Sequence, residues 1–285
     1  MGYHKTHQRV EKHKLYSHKS NEEVFSENRH NVLYLSEILI TNSNLRGSHL
    51  TPRQKFALDD FRKMGSFGLC DGNKRYPRSD ILKACFFLFD ELFFFGSLRS
   101  RCEFHCSTKV VQQNRVGLTG ITRKRNKKFR PWELFQKSEK QMFDITIFTS
   151  SLEQRQRYQC HELLGYVGIV LHEMIHAFLL CWGCDYAGCS DANDRLGKDH
   201  GPIWQDIAYA LERAARDPKF LNLDVRLSRV SALAAELHGT GRSPQSIGRS
   251  GLARWNITET DLWDRYRGIA EIGGAAGANK IVKGG

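Results

Sequence analysis

The feature that most constrains this chain is an apolar run, Leu163 to Leu171, that leads straight into His172-Glu173-Met174-Ile175-His176. A stretch this apolar belongs in a core. Imidazoles and a carboxylate buried there without a role would cost free energy. Residues four apart share one face of a helix, so both imidazoles can point at a single metal ion. Glu173, adjacent to His172, can hold a water beside that ion without being a ligand itself. This is the arrangement of a zinc hydrolase: two His ligands and a carboxylate that takes a proton from water. Zinc lowers the pKa of water from 15.7 to roughly 7, and the glutamate completes the general-base work. Alone, an H-E-x-x-H is short and recurs by chance in unrelated helices.

A third ligand follows in Gly197-Lys198-Asp199-His200-Gly201-Pro202-Ile203-Trp204. His200 is favoured because Gly201 lets the loop come close to a metal, and Pro202 suits the first turn of a new helix. Leu179 and Trp182 stand where a metzincin needs its glycine and final histidine, which removes that class. Glu212, well inside the next helix, is the rival ligand, and Asp185, Asp191, Asp194 and Asp199 read as loop carboxylates.

His172 to His176, followed by His200-Gly201-Pro202-x-Trp204, resembles the SprT-like metallopeptidases. The block Phe86 to Leu98, with Phe89, Phe93, Gly96 and Leu98, is similar to that family's opening helix. The resemblance runs over roughly residues 80–216. It implies an α+β, zincin-like metallopeptidase domain, with the H-E-x-x-H helix packed beside a small antiparallel sheet. It also implies one catalytic Zn2+ held by His172, His176 and His200, with Glu173 as the general base. The implied substrates are proteins bound or crosslinked to DNA, with DNA binding controlling access to them.

Bulk properties fit that reading without establishing it. The 285 residues can hold one sizeable domain plus tails, and 40% hydrophobic content is slightly low for a fully globular chain. A formal charge of +12 favours a polyanionic partner, nucleic acid first. The first residues are polar and lack a secretory signal. Asp90-Glu91 interrupts the longest candidate for a membrane span, so none is expected. Eight cysteines scattered among histidines and acids do not frame a secreted disulfide scaffold. An intracellular, reducing compartment is expected, and the basic character points to the nucleus.

Along the chain, residues 1–50 read as a basic, largely flexible arm, with a short helix or strand at Val32 to Ile40. Residues 51–220 form the metallopeptidase-like domain, and 221–285 a helical extension ending in a flexible tail. Short strands are predicted at Cys102 to Phe104, Lys109 to Val111, Val116 to Leu118 and Phe143 to Phe148. Between them lies the densest basic stretch: Arg123, Lys124, Arg125, Lys127, Lys128 and Arg130, with Phe129 and Trp132 beside them. Its cations suit phosphates, and Phe129 or Trp132 suits stacking on the bases of single-stranded DNA. A nuclear-import signal and a solvated hairpin are the competing readings.

Cys181, Cys184 and Cys189 are spaced as half of a paired zinc knuckle, so a second, structural zinc is a further expectation beside that of free thiols. Helices are predicted at Leu223 to Leu237 and Thr258 to Ile272, with Gly239 to Ser246 as a linker. Two other function classes stay open. One is a general intracellular metallopeptidase without DNA dependence. The other is a non-hydrolytic, zinc-bearing DNA-binding or adaptor protein, in which Glu173 would have no task.

Overall fold

The computed structural model describes residues 9, 25, 30–63, 78–107, 117–122, 142–149, 160–184 and 200–281. Within these the chain runs α1 (Val32–Ser43), α2 (Pro52–Lys63), α3 (Arg78–Phe93), β1 (Cys102–Ser107), β2 (Gly117–Thr122) and β3 (Met142–Phe148). It continues through α4 (Cys160–Trp182), α5 (Pro202–Arg216), α6 (Arg229–Gly239), α7 (Gly248–Arg254) and α8 (Glu259–Ile281).

Helix α4 is the centre of the core. Val167, Val170, Leu171, Met174, Ile175, Ala177 and Phe178 are all fully buried. By length and composition, Leu163–Trp182 is apolar enough to cross a membrane, which the reading of the sequence overlooked. Its buried share, 61%, is that of a helix packed in a protein core. Phe86, Phe89 and Phe93 of α3 join it, each burial contributing about 1.5–3 kcal/mol.

The sheet order is β1-β3-β2. β2 pairs antiparallel with β3, but β1 pairs with β3 in parallel, Cys102 opposite Phe143 and Ser107 opposite Phe148. The sheet is therefore mixed, where a purely antiparallel one was expected. β3 alternates strictly, with Phe143, Ile145 and Ile147 buried against the helical layer. As the most apolar strand it takes the central place, hydrogen-bonded on both sides, and separates β1 from β2. The predicted strand at Lys109 to Val111 lies outside the described residues.

A polar network joins the first helices to the end of α3. Thr51 and Gln54 form a reciprocal capping box at the start of α2: Thr51 N–H donates to Gln54 Oε1 (3.0 Å), and Gln54 N–H to Thr51 Oγ1 (3.1 Å). Gln54 Nε2 also donates to Leu92 O (2.8 Å) and Asn42 Oδ1 (3.1 Å), and Asn42 Nδ2 donates to Phe93 O (2.9 Å). Two buried side chains thus satisfy the carbonyls that end α3. Replacing Gln54 by Ala undoes the box and takes the donor from buried Asn42 Oδ1, while Leu92 O keeps its bond from Asn42 Nδ2 (3.2 Å). The expected loss is about 2–4 kcal/mol, read as a lower urea midpoint with an unchanged slope.

The turn after α3 is built around Asp90, whose carboxylate accepts from Leu98 N–H and Arg99 N–H, each at 3.0 Å. Phe95 and Gly96 both take left-handed backbone there (φ 63° and 65°). Burial pushes the Asp90 carboxyl up to about 7, although the two N–H donors oppose the shift. Its folded value thus lies above the unfolded value of about 3.9. The folded state keeps a proton that the unfolded state releases, so Asp90's contribution is full below about pH 4 and declines as pH rises to about 7. Asp90→Asn is expected to remove that decline, measured as the difference between urea midpoints at pH 5 and pH 8 in the two proteins.

The expected domain limits need two corrections. The arm assigned to residues 1–50 includes folded structure: α1 buries Leu35, Ile38 and Leu39. Ahead of α1, His30 N–H donates to Trp182 O (3.1 Å), and Cys184 N–H donates to His30 O (2.9 Å). Phe25 sits 5.3 Å from the Trp182 ring. Apolar contact with the end of α4 outweighs the basic composition that suggested a free arm. At the other end, residues 221–228 have no regular secondary structure, with Asn222 and Ser228 in left-handed backbone and Leu221, Leu223, Val225 and Leu227 buried alternately. Helix begins only at Arg229, and α8 continues to Ile281 instead of giving way to a tail near Gly273.

Candidate metal centre

His172 and His176 project from one face of α4, and His200 comes from the residue before Gly201, the N-cap of α5. Pro202 occupies the first turn of α5, where its missing N–H costs nothing. The three Nε2 atoms converge: His172 to His176 is 3.2 Å, His176 to His200 is 3.1 Å, and His200 to His172 is 3.0 Å.

The ring of Trp204, one turn into α5, lies against all three imidazoles, with centroids 4.6, 5.7 and 4.9 Å from those of His172, His176 and His200. It walls the site with apolar surface, and its buried Nε1 has no hydrogen-bond partner among the described residues. In the sequence Trp204 is only a landmark of the motif; its contact with the three rings arises from the fold.

Burial lowers all three imidazole pKa values. For His172 the Leu227 carbonyl partly opposes the shift. His176 falls well below the ordinary range through burial and then the other two rings. His200 drops to about 3 through burial and then His172. All three are therefore neutral at pH 7.

The ring tautomer of His172 follows from its surroundings. Nδ1 lies 3.0 Å from Leu227 O, and a carbonyl only accepts, so Nδ1 carries the proton and Nε2 a lone pair. Neutral nitrogens packed this closely around one point, each half-buried, are stabilised by a cation at that point. Zinc takes His nitrogens at 2.0–2.1 Å. A tetrahedron of that size has edges of about 3.3 Å, close to the observed triangle. The donor set thus fits a three-histidine zinc site with a coordination position left open.

Glu173 is 7% exposed and is carried by the same turn of α4 as His172. Glu212, the rival ligand, is directed elsewhere: its carboxylate accepts from Leu227 N–H and Arg229 Nε. Cys181 is buried, and its thiol, hydrogen-bonded to Cys102, is pushed well above the ordinary range, mainly by burial. Cys184 is half-buried, and Cys189 lies outside the described residues. So do Arg123, Lys124, Arg125, Lys127, Lys128, Arg130 and Trp132, the proposed nucleic-acid contacts.

A second group, Glu103 and His105 on β1 with Asp144 on β3, also brings ligand atoms within 4.8 Å of one another. Glu103 and His105 are 46% and 51% exposed, so water competes there more strongly than among the three half-buried imidazoles.

Compared with models of known families, with curated proteins and with solved structures, the chain matches none of them. The reading of the site therefore rests on its own geometry and on the motifs that compose it.

Proposed function

We propose that this protein is a zinc-dependent metalloendopeptidase of SprT-like type. The observation that carries the reading is the convergence of three neutral imidazole Nε2 atoms at 3.0–3.2 Å beside a buried glutamate on the same helix. His172, His176 and His200 would hold the metal. Zinc, when bound there, supplies Lewis acidity and makes water acidic enough to ionise near neutral pH.

Glu173 is the general base. Its carboxylate accepts the proton of the attacking water as oxygen adds to the peptide carbonyl carbon. It returns that proton to the departing amine as the C–N bond breaks. Trp204 keeps bulk water from the back of the three rings, and Leu227 O keeps His172 in the tautomer whose Nε2 lone pair faces the metal. A structural zinc site would have no use for Glu173, which favours hydrolysis over an adaptor role.

The substrate class in this proposal is protein bound or crosslinked to DNA, and the natural compartment is the nucleus. The net charge of +12 and the sequence resemblance support that choice. The test is cleavage of a DNA-binding protein by wild type and Glu173→Gln, with and without single-stranded DNA. Cleavage that needs both Glu173 and DNA is the expected outcome. Cleavage that needs Glu173 but ignores DNA would mean a general metallopeptidase. No cleavage by protein shown to contain zinc would mean a binding module.

A further inference from the structure

The segment Leu227-Ser228-Arg229 reaches two of the three histidines. Leu227 O accepts from His172 Nδ1 (3.0 Å). Arg229 O accepts from Gln205 Nε2 (3.2 Å), and the same Nε2 donates to His200 O (3.2 Å). Gln205 has no exposed surface, so both of its contacts are made in a dry interior where hydrogen-bond geometry is strongly enforced.

Glu212 clamps this segment. One carboxylate oxygen accepts from Leu227 N–H and the other from Arg229 Nε, both at 2.7 Å. The Glu212 and Arg229 side chains are only 9% and 10% exposed. Arg229 lies over the Tyr209 ring (4.8 Å) and donates through Nη1 to Trp255 O (2.9 Å). Trp255 Nε1 in turn donates to Asp206 of α5 (2.8 Å).

On the other side the segment lies directly on α4. A Cβ at Gly168 would stand 2.3 Å from Arg226 O, so only glycine admits this approach, one helical turn before His172. A buried ion pair is weak evidence for stability in itself. Here both partners are spent on the backbone and side chains that aim the histidines.

We infer that Glu212 and Arg229 are positioning residues for the metal centre, fixing the tautomer and direction of His172 and the carbonyl of His200 through residues 227–229. The C-terminal segment, beyond the stretch that resembles a metallopeptidase, is then part of the centre's support. Outer partners of this kind typically change metal affinity by 10- to 100-fold when removed.

The test uses the full chain and two readouts. The first is the zinc dissociation constant, by competition with a chromophoric chelator. Glu212→Ala is expected to weaken zinc binding about 10- to 100-fold. Glu212→Gln keeps an acceptor for Leu227 N–H, so its expected loss is smaller. Asn42→Ala, which destabilises the fold away from the site, should leave the constant of the folded protein unchanged.

The second readout is 1H–15N NMR of the imidazoles in metal-free protein, with wild-type His172 expected in the Nδ1–H form and Glu212→Ala in a mixture of tautomers. The zinc arm rests on the proposed metal reading, whereas the tautomer arm does not. Wild type that binds no zinc but shows the tautomer change would overturn the metal reading and support the positioning role. Wild-type zinc affinity and an unchanged tautomer in Glu212→Ala would overturn the positioning role alone. If Glu212→Ala does not fold, Glu212→Gln carries the same two readouts, and wild-type values for both would overturn the inference.

Discussion

Glu173→Gln is expected to lower peptide hydrolysis by about two to four orders of magnitude, the usual contribution of a positioned general base. The amide is nearly isosteric with the carboxylate, so a site that is 7% exposed at this residue stays filled. It has no basic oxygen with which to accept the water's proton. Because Glu173 is not one of the three converging ligands, the variant should bind zinc as the wild type does. Loss of turnover with retained zinc is the pattern that assigns it to proton transfer. Loss of both would instead place it among the residues that hold the metal. The measurement is single-turnover cleavage alongside metal analysis of the same preparations.

Zinc itself is expected to change stability as strongly as it changes activity. A ligand that binds the folded chain alone stabilises it by about 4 kcal/mol when present at a thousand times its dissociation constant. That corresponds to roughly 10 °C in melting temperature for a chain of this size. The effect should disappear in His176→Ala, because two nitrogens no longer enclose the point at which three met 3.0–3.2 Å apart. Removing His176 also removes a half-buried polar ring that is neutral at pH 7. The metal-free variant should therefore melt no lower than metal-free wild type. Scanning calorimetry with zinc and with a chelator separates the two contributions. A zinc-dependent rise that survives in His176→Ala would place the ion elsewhere.

The same tests bear on what a linear reading of this chain reaches. His172, Glu173 and His176 were legible because helical spacing is a local rule: four residues bring two side chains to one face whatever surrounds them. His200 was legible through Gly201 and Pro202, which mark a helix start and so place the residue at a chain entry rather than inside an element. The strand at Phe143 to Phe148 was legible for the same reason, since period and polarity are properties of neighbouring residues.

Other features were decided only by tertiary contact. β3 stands between β1 and β2 because it is paired along both edges, and strand order depends on such pairing and not on any one strand's pattern. The basic start of the chain suggested an arm as far as residue 50. Yet Phe25, His30 and α1 are held by Phe178, Trp182 and α5, partners well over a hundred residues away. Glu212 was a candidate ligand by type. The structure instead directs it to a backbone N–H and to Arg229, fifteen and seventeen residues ahead. The carbonyl of Leu227, which sets the tautomer of His172 across 55 residues, belongs to a peptide group that every residue carries. Sequence by itself determined the imidazoles and the glutamate beside them, because their chemistry resides in side chains marked by local spacing and a helix start. Only the tertiary structure decided how those donors are aimed, because the aiming is done by backbone groups whose positions depend on packing.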